Sequence, residues 1–343
     1  MALAGSILAT GSTIDRAAAS TIRQMDTSTI VTTAAELLTR HYVFPERAAE
    51  MASTIRRSLT DGAYEGLSDE ELCEALTSDL HSVHSDLHLR LRWHAEARER
   101  VEDDDAHAER QFAAWRQVLR THGQGVDKVQ VLPGNIGLVA LNMVGEPKSG
   151  GDAYAAAMRI VADTECLILD LRANGGGSTD GAALWCSYFL GAEPVHLNDI
   201  HLDGDPTPRQ MWSLSHLAGP RYLDRPVYVL LSGRTFSGAE DIAYTLAAHG
   251  RATTVGETTR GGAHPTSTYW IDTHIDIRVP NGRTVSPITG TNWEGVGVTP
   301  DIACGAPEAL DMAYRRCLDH VLGANPDEPL LTEARTARVN LDA

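Results

Sequence analysis

Two stretches of this chain carry an apolar run into a turn, and each turn holds groups that can do chemistry. The first, Leu167-Ile168-Leu169-Asp170-Leu171-Arg172-Ala173-Asn174-Gly175-Gly176-Gly177, reads as a buried strand entering a glycine-rich turn that exposes backbone N–H groups. Amides presented this way cradle phosphates, bind dinucleotides or hold an oxyanion. No Lys-Ser or Lys-Thr follows the glycines, as a P-loop requires. Gly175, Gly177 and Gly181 miss the G-x-G-x-x-G spacing by one residue. An oxyanion role is the chemistry that remains, beside the plain alternative of a tight turn.

The second stretch runs from Val227 through Leu231 to Ser232-Gly233-Arg234-Thr235-Phe236-Ser237-Gly238-Ala239-Glu240, again strand, turn and helix start. Ser237 sits where helix N-terminal amides favour developing negative charge. On position alone it is a helix N-cap, and Thr235 stands where the G-x-S-x-G nucleophile elbow needs glycine. A third group is His81, His84 and His88, at i, i+3 and i+7, which one continuous helix would bring to one face, as zinc requires. Period-2 alternation from Leu87 to Trp93 ends the helix before His88, and no His-Glu-x-x-His pattern accompanies the trio.

The elements that must position these residues fall into two textures. From about Thr27 to Val83 the pattern is helical, with Pro45 suited to a first turn and Ser68 followed by Glu71 as a capping box. His88 then lies at a helix-to-strand junction. Glu102 to Asp105 form an acidic run expected in a solvated loop, before a polar amphipathic helix reaching Thr121. From Val129 onward short β-branched runs alternate with helical segments, as in an α/β domain. Strands are predicted at 136–143, 166–171, 227–231, 252–255 and 266–279, and helices near 152–161, 179–190, 237–249 and 307–322. The expected division is a helical domain over 1–95, a connector over 96–130, a catalytic α/β domain over 131–325 and a loosely held polar tail over 326–343.

Bulk properties narrow the function classes. The formal charge of −17 repels a phosphate backbone and an anionic membrane surface, so neither nucleic acid nor membrane is an expected partner. Five cysteines, Cys73, Cys166, Cys186, Cys304 and Cys317, form no close pair, which suits a reducing compartment. No Lys or Arg precedes the short apolar stretch after Met1, and no run of ~18 apolar residues is present, so the expected location is cytoplasmic.

Four ordered segments then carry a resemblance. These are Leu167 to Gly177, Arg234 to Glu240, Val255-Gly256-Glu257-Thr258-Thr259-Arg260-Gly261-Gly262-Ala263-His264-Pro265, and Asn292-Trp293-Glu294-Gly295-Val296-Gly297-Val298-Thr299-Pro300-Asp301. Together they resemble the C-terminal-processing (tail-specific) serine peptidases. The resemblance spans roughly 37–302 and implies an α/β fold, a core of the ClpP/crotonase type built on β-β-α units with a small N-terminal helical domain. It implies Ser237 as nucleophile and the amides of Gly238 and Gly176 as the oxyanion hole, with Gly175 the second choice for that turn.

One branch of the family activates its serine with a lysine in a Gly-Lys-Gly context, where this chain has Gly261-Gly262-Ala263, so that dyad is excluded here. The tricorn-like and retinoid-binding-protein-like branch uses a histidine and a glutamate instead, and the matching residues are His88 and Glu294. Histidine has the pKa to act as base near neutrality. Glu294 either orients a catalytic group or binds a substrate's amino terminus, and Asp86 is the weaker candidate for orienting the imidazole. His249 and His264 read as structural or pocket residues. The interval from Trp93 to Ile136 is about half what a PDZ module of roughly 80 to 100 residues needs, so none is expected. The function expected is a serine peptidase needing no cofactor or metal, acting on a peptide or small acyl substrate. The alternatives are a lipid or small-ligand carrier on the same scaffold and a biosynthetic acyl hydrolase or cyclase. Oligomeric state is not legible.

Overall fold

The computed structural model describes residues 25–98, 104–202, 204–324 and 327–341. The apolar stretch after Met1 and the start of the acidic run, Glu102 and Asp103, lie outside the described residues. The chain begins with helices α1 (Thr27–His41), α2 (Pro45–Thr60) and α3 (Asp69–Val83), then strand β1 (Arg90–Trp93) and helix α4 (Asp104–Thr121). There follow β2 (Val126–Leu132), β3 (Ile136–Leu141), α5 (Pro147–Val161), β4 (Cys166–Asp170), α6 (Thr179–Phe189), β5 (His196–Leu202), β6 (Arg209–Trp212) and β7 (Val227–Leu231). The last part holds α7 (Gly238–Ala248), β8 (Thr253–Gly256), β9 (Thr266–Trp270), β10 (Ile275–Pro280), β11 (Gly282–Val285), β12 (Ile302–Ala303), α8 (Ala309–Gly323) and α9 (Glu328–Asn340). Among the described residues no helix is long and apolar enough to cross a membrane.

The three leading helices start where their side chains satisfy free N-terminal amides or need none. Asp26 accepts from the Thr29 amide, Pro45 opens α2, and Ser68 with Glu71 closes a capping box on α3. Ile30, Leu38, Met51, Ile55, Leu72, Leu76 and Leu80 form their shared core. That core is completed from far along the chain, because β1 pairs antiparallel with β10 and brings Ile275, Ile277 and Val279 into it. The helical unit is therefore not the contiguous 1–95 segment. The span expected as one strand over 266–279 is a hairpin, β9 and β10, paired from Thr266↔Pro280 to Trp270↔Asp276.

The larger sheet runs β12-β8-β7-β4-β3-β2, with β2 antiparallel at one edge and the others parallel. β4 shows why its sequence is a continuous apolar run: Leu167 and Leu169 face the core under α5, α6 and α7, while Cys166 and Ile168 face the core under α8 and α9. Two boundaries expected from sequence move. β2 begins inside the span expected as a connector and crosses its end, because its ladder with β3 makes it the sheet's edge strand. The expected loose tail is α9, which Asp327 caps and which buries Leu331, Ala334 and Ala337. Pro329 there occupies the first turn, where its missing N–H costs nothing.

Candidate active site

The turns after β4 and β7 lie side by side because those strands are parallel neighbours, and ligands of such sheets gather at their C-terminal ends. Ser237 begins the turn into α7 with φ 55° and ψ −123°, a left-handed backbone that costs a non-glycine residue about 1–3 kcal/mol. Its surroundings hold it there. The Ser237 amide donates to Glu240 Oε2 at 2.7 Å, and the Phe236 amide donates to the Asn174 carbonyl at 3.1 Å.

Glu240 is fully buried and accepts from four donors. Oε2 takes the amides of Ser237 and Gly262 (2.9 Å), and Oε1 takes the Gly261 amide (2.6 Å) and the Thr259 hydroxyl (2.5 Å). One carboxylate thus ties the Ser237 turn to the loop after β8. Sequence reasoning assigned Glu240 no role, although Ser237-x-x-Glu240 has capping-box spacing.

His88 comes from the linker between α3 and β1, and its Nε2 lies 3.1 Å from Ser237 Oγ. α3 ends at Val83 as expected, so His81 and His84 do not share a face with His88; His81 instead contacts the Leu89 carbonyl at 2.7 Å. The His88 ring packs against Phe236 at 4.5 Å between centroids. A Cβ on Gly262 would lie 2.2 Å from the Phe236 ring and 2.8 Å from His88 Cε1. The space that a side chain at Gly262 would take is thus already filled by the histidine and Phe236.

Asp86 holds the backbone of His88 rather than its ring, accepting from the His88 amide at 3.0 Å. Its other oxygen accepts from Tyr42 Oη at 3.2 Å and His264 Nδ1 at 2.8 Å. Glu294 reaches this group through His264, at 3.5 Å, and accepts from the Ala263 amide at 2.5 Å. His88 Nδ1 and Glu294 Oε1 are both buried without a partner among the described residues. Asp86, His264 and Glu294 cluster closely enough for their ligand atoms to share a small ion. His264 and Tyr42, which join the helical region to the loops around Ser237, were not singled out as catalytic from sequence; no local pattern marks either.

The two expected oxyanion donors differ. Gly238 is the first residue of α7, and its amide has no acceptor among the described residues. Gly176, at φ 96°, lies so close that an added Cβ would sit 2.7 Å from Ser237 Cβ and 2.8 Å from the Gly238 nitrogen. Its own N–H, however, is donated to Asn174 Oδ1 at 2.8 Å, so it is not free for an oxyanion in this arrangement. Gly175 is exposed at the rim of the same turn.

Burial pushes the His88 pKa down to about 4, helped by the charges of Arg278 and Arg90 and opposed by Asp86. Burial also raises Glu294, with Asp86 adding repulsion and His264 opposing, up to about 7. A carboxyl raised in the fold contributes stability that is complete below its unfolded pKa and lost as pH rises through the folded value. Glu294→Gln is therefore expected to raise Tm at pH 8 relative to wild type and to leave it nearly unchanged at pH 4.5. Thermal melts of both proteins across that range read the effect.

The fold and site together define a three-core α/β protein with a serine–histidine pair at the parallel-strand termini. Family models place it further: residues 135–304 match peptidase family S41, and 17–125 match the N-terminal domain of peptidase S41 in eukaryotic IRBP. The chain belongs to peptidase family S41. It is 28% identical over 140 residues to the carboxy-terminal-processing protease of Bartonella bacilliformis, a match covering 41% of this chain and 31% of that protein. Among solved structures it is similar in fold to a lipoprotein from Streptococcus agalactiae, at TM-score 0.56 and 12% identity over 86% of this chain and 98% of that one. It is likewise similar to the tricorn protease, at TM-score 0.53 and 12% identity over 92% of this chain and 37% of that one.

Proposed function

We propose that the chain is a serine peptidase that cleaves peptide bonds through an acyl-enzyme on Ser237, with His88 as general base. The observation that carries this reading is the 3.1 Å contact between His88 Nε2 and the hydroxyl of a strained serine at a helix N-terminus. His88 takes the Ser237 proton as Oγ attacks the substrate carbonyl. The Gly238 amide, at the positive end of α7, receives the oxyanion. Gly176 joins it when the substrate oxygen displaces Asn174 Oδ1. The protonated His88 then gives its proton to the leaving amine, and water, deprotonated by the same ring, releases the acid. Glu294 and His264 act as positioning residues by holding Asp86 and the loop that closes over His88. A carrier would have no use for a nucleophile strained in place by a buried carboxylate. Among the described residues the cysteines form no disulfide, which supports a cytoplasmic location.

The test needs no knowledge of the substrate. Wild type incubated with a fluorophosphonate is expected to gain one adduct by intact mass, mapped to Ser237, and Ser237→Ala none. Folded wild type that takes up no adduct would sink the proposal.

A further inference from the structure

The β1–β10 ladder sets Arg90 directly opposite Arg278, and Arg92 opposite Asp276. Only the second pair is a charge match. Asp276 is fully buried and already bound by Arg92 at 2.9 Å, Arg98 at 2.8 Å and His94 at 2.8 Å. Arg90 and Arg278 each keep a buried Nε with no partner among the described residues. Both side chains stay partly open to solvent.

Like charges opposite one another on a ladder are destabilising, and an unpaired half-buried guanidinium more so. The strain registers in Arg278, whose pKa burial and the charges of Arg90 and Arg92 push down to about 10. The buried Asp276 opposes that shift in both arginines but is already shared among Arg92, Arg98 and His94. In a chain with 46 acidic residues against 29 basic ones, this patch is therefore a local inversion of the overall balance.

The inversion lies beside the chemistry. Both arginines act electrostatically on His88. Arg90 also acts on Arg260, an exposed residue whose guanidinium lies 5.0 Å over the Phe236 ring. Phe236 precedes Ser237 and packs against the His88 ring at a tilt. Three guanidiniums thus lie on the His88 and Phe236 side of the site with donors that match carboxylate geometry, and among the described residues none of the three makes a salt bridge to a carboxylate.

We propose that Arg90, Arg278 and Arg260 form a carboxylate-binding subsite beside Ser237, which selects peptides bearing an aspartate or glutamate, or a free C-terminal carboxylate, close to the scissile bond. This deepens the peptidase reading and rests on it for the identity of the bond cleaved. Substrate carboxylate supplies the missing counter-charge, so the repulsion tolerated in the free protein is relieved on binding.

The experiment compares three short peptides: acetyl-Ala-Ala-Glu-Ala-amide, acetyl-Ala-Ala-Gln-Ala with a free carboxylate, and acetyl-Ala-Ala-Gln-Ala-amide. Each is titrated calorimetrically into the full chain, wild type and Arg90→Gln/Arg278→Gln, and separately used to protect Ser237 from a neutral fluorophosphonate. At least one anionic peptide is expected to bind and protect about tenfold more tightly than the neutral one in wild type, with the advantage shrinking at high salt. The side-chain and terminal arms show which carboxylate is read.

In the double variant the advantage should vanish while Tm holds or rises, since repulsion is removed. Should that variant not fold, Arg260→Gln, at an exposed position, is expected to lose part of the same preference. Equal binding of all three peptides by wild type, or a preference that survives both variants, overturns the proposal. Absence of labelling with the binding preference intact would instead overturn only the nucleophile assignment.

Discussion

Glu240→Gln is expected to slow Ser237 acylation by about a hundredfold and to destabilise the protein by about 3 kcal/mol or more. Four donors converge on the Glu240 carboxylate. An amide can accept at one oxygen only, and its NH2 would face donors at the other. Two buried donors then lack a partner, each costing roughly 1–3 kcal/mol. The Ser237 amide is one of the four, and its bond helps hold φ at 55° against the preference of an L-residue. Relaxation of that turn moves Oγ from His88 Nε2, and a displacement of about 1 Å is enough for the rate loss. Chemical denaturation reads the stability change. Probe kinetics separate a lowered maximal rate of inactivation, the mark of positioning, from weaker probe binding. A Glu240→Gln protein that melts and labels like wild type would remove Glu240 from the site.

What the sequence yields here depends on how local the cause is. β4 and β7 were legible because burial on both faces requires an uninterrupted apolar run, and α3 because Ser68 and Glu71 cap it within one turn. Ser237 and His88 are 149 positions apart, and nothing local joins them; only the family resemblance, which matched His88 to one branch's histidine, brought them together. The non-local pieces stayed hidden for the same reason. The register of β1 on β10 decides that Arg90 faces Arg278 and that Ile275, Ile277 and Val279 complete the helical core, yet the two strands are far apart along the chain. α9 was missed because its buried stripe is narrow and made of Leu331, Ala334 and Ala337, while Pro326 and Pro329 read as breakers although the second is a helix start. Gly176 shows the remaining limit, since its motif position says nothing of the Asn174 side chain that takes its amide.

His88→Ala is expected to cut acylation of Ser237 by roughly a thousandfold, the scale of a positioned general base. In wild type the base should remain available in unusually acid solution. A histidine lowered from 6.5 to about 4 is neutral above that value, so probe labelling is expected to stay flat from pH 8 to pH 5 and to fall to half near pH 4. The same shift sets a stability trend. Between pH 6.5 and 4 the unfolded chain binds a proton that folded His88 refuses, so its contribution is whole above pH 6.5 and lost as pH falls through that window, by about 3 kcal/mol at most. His88→Asn should lack this loss, which places Glu294, of opposite sign, in view. The groups that set the His88 pKa besides burial are Asp86 from its own linker, Arg90 from β1, Arg278 from β10 and His264 from the loop after β8. A carboxylate seated on Arg90 and Arg278 cancels two of the charges that depress it, so an anionic substrate strengthens the base that attacks on its behalf. The acid limb of kcat, which reports the bound state, is then expected at higher pH than that of kcat/KM for an anionic peptide, and at the same pH for a neutral one. Coincident limbs for both peptides would separate substrate charge from the activation of His88.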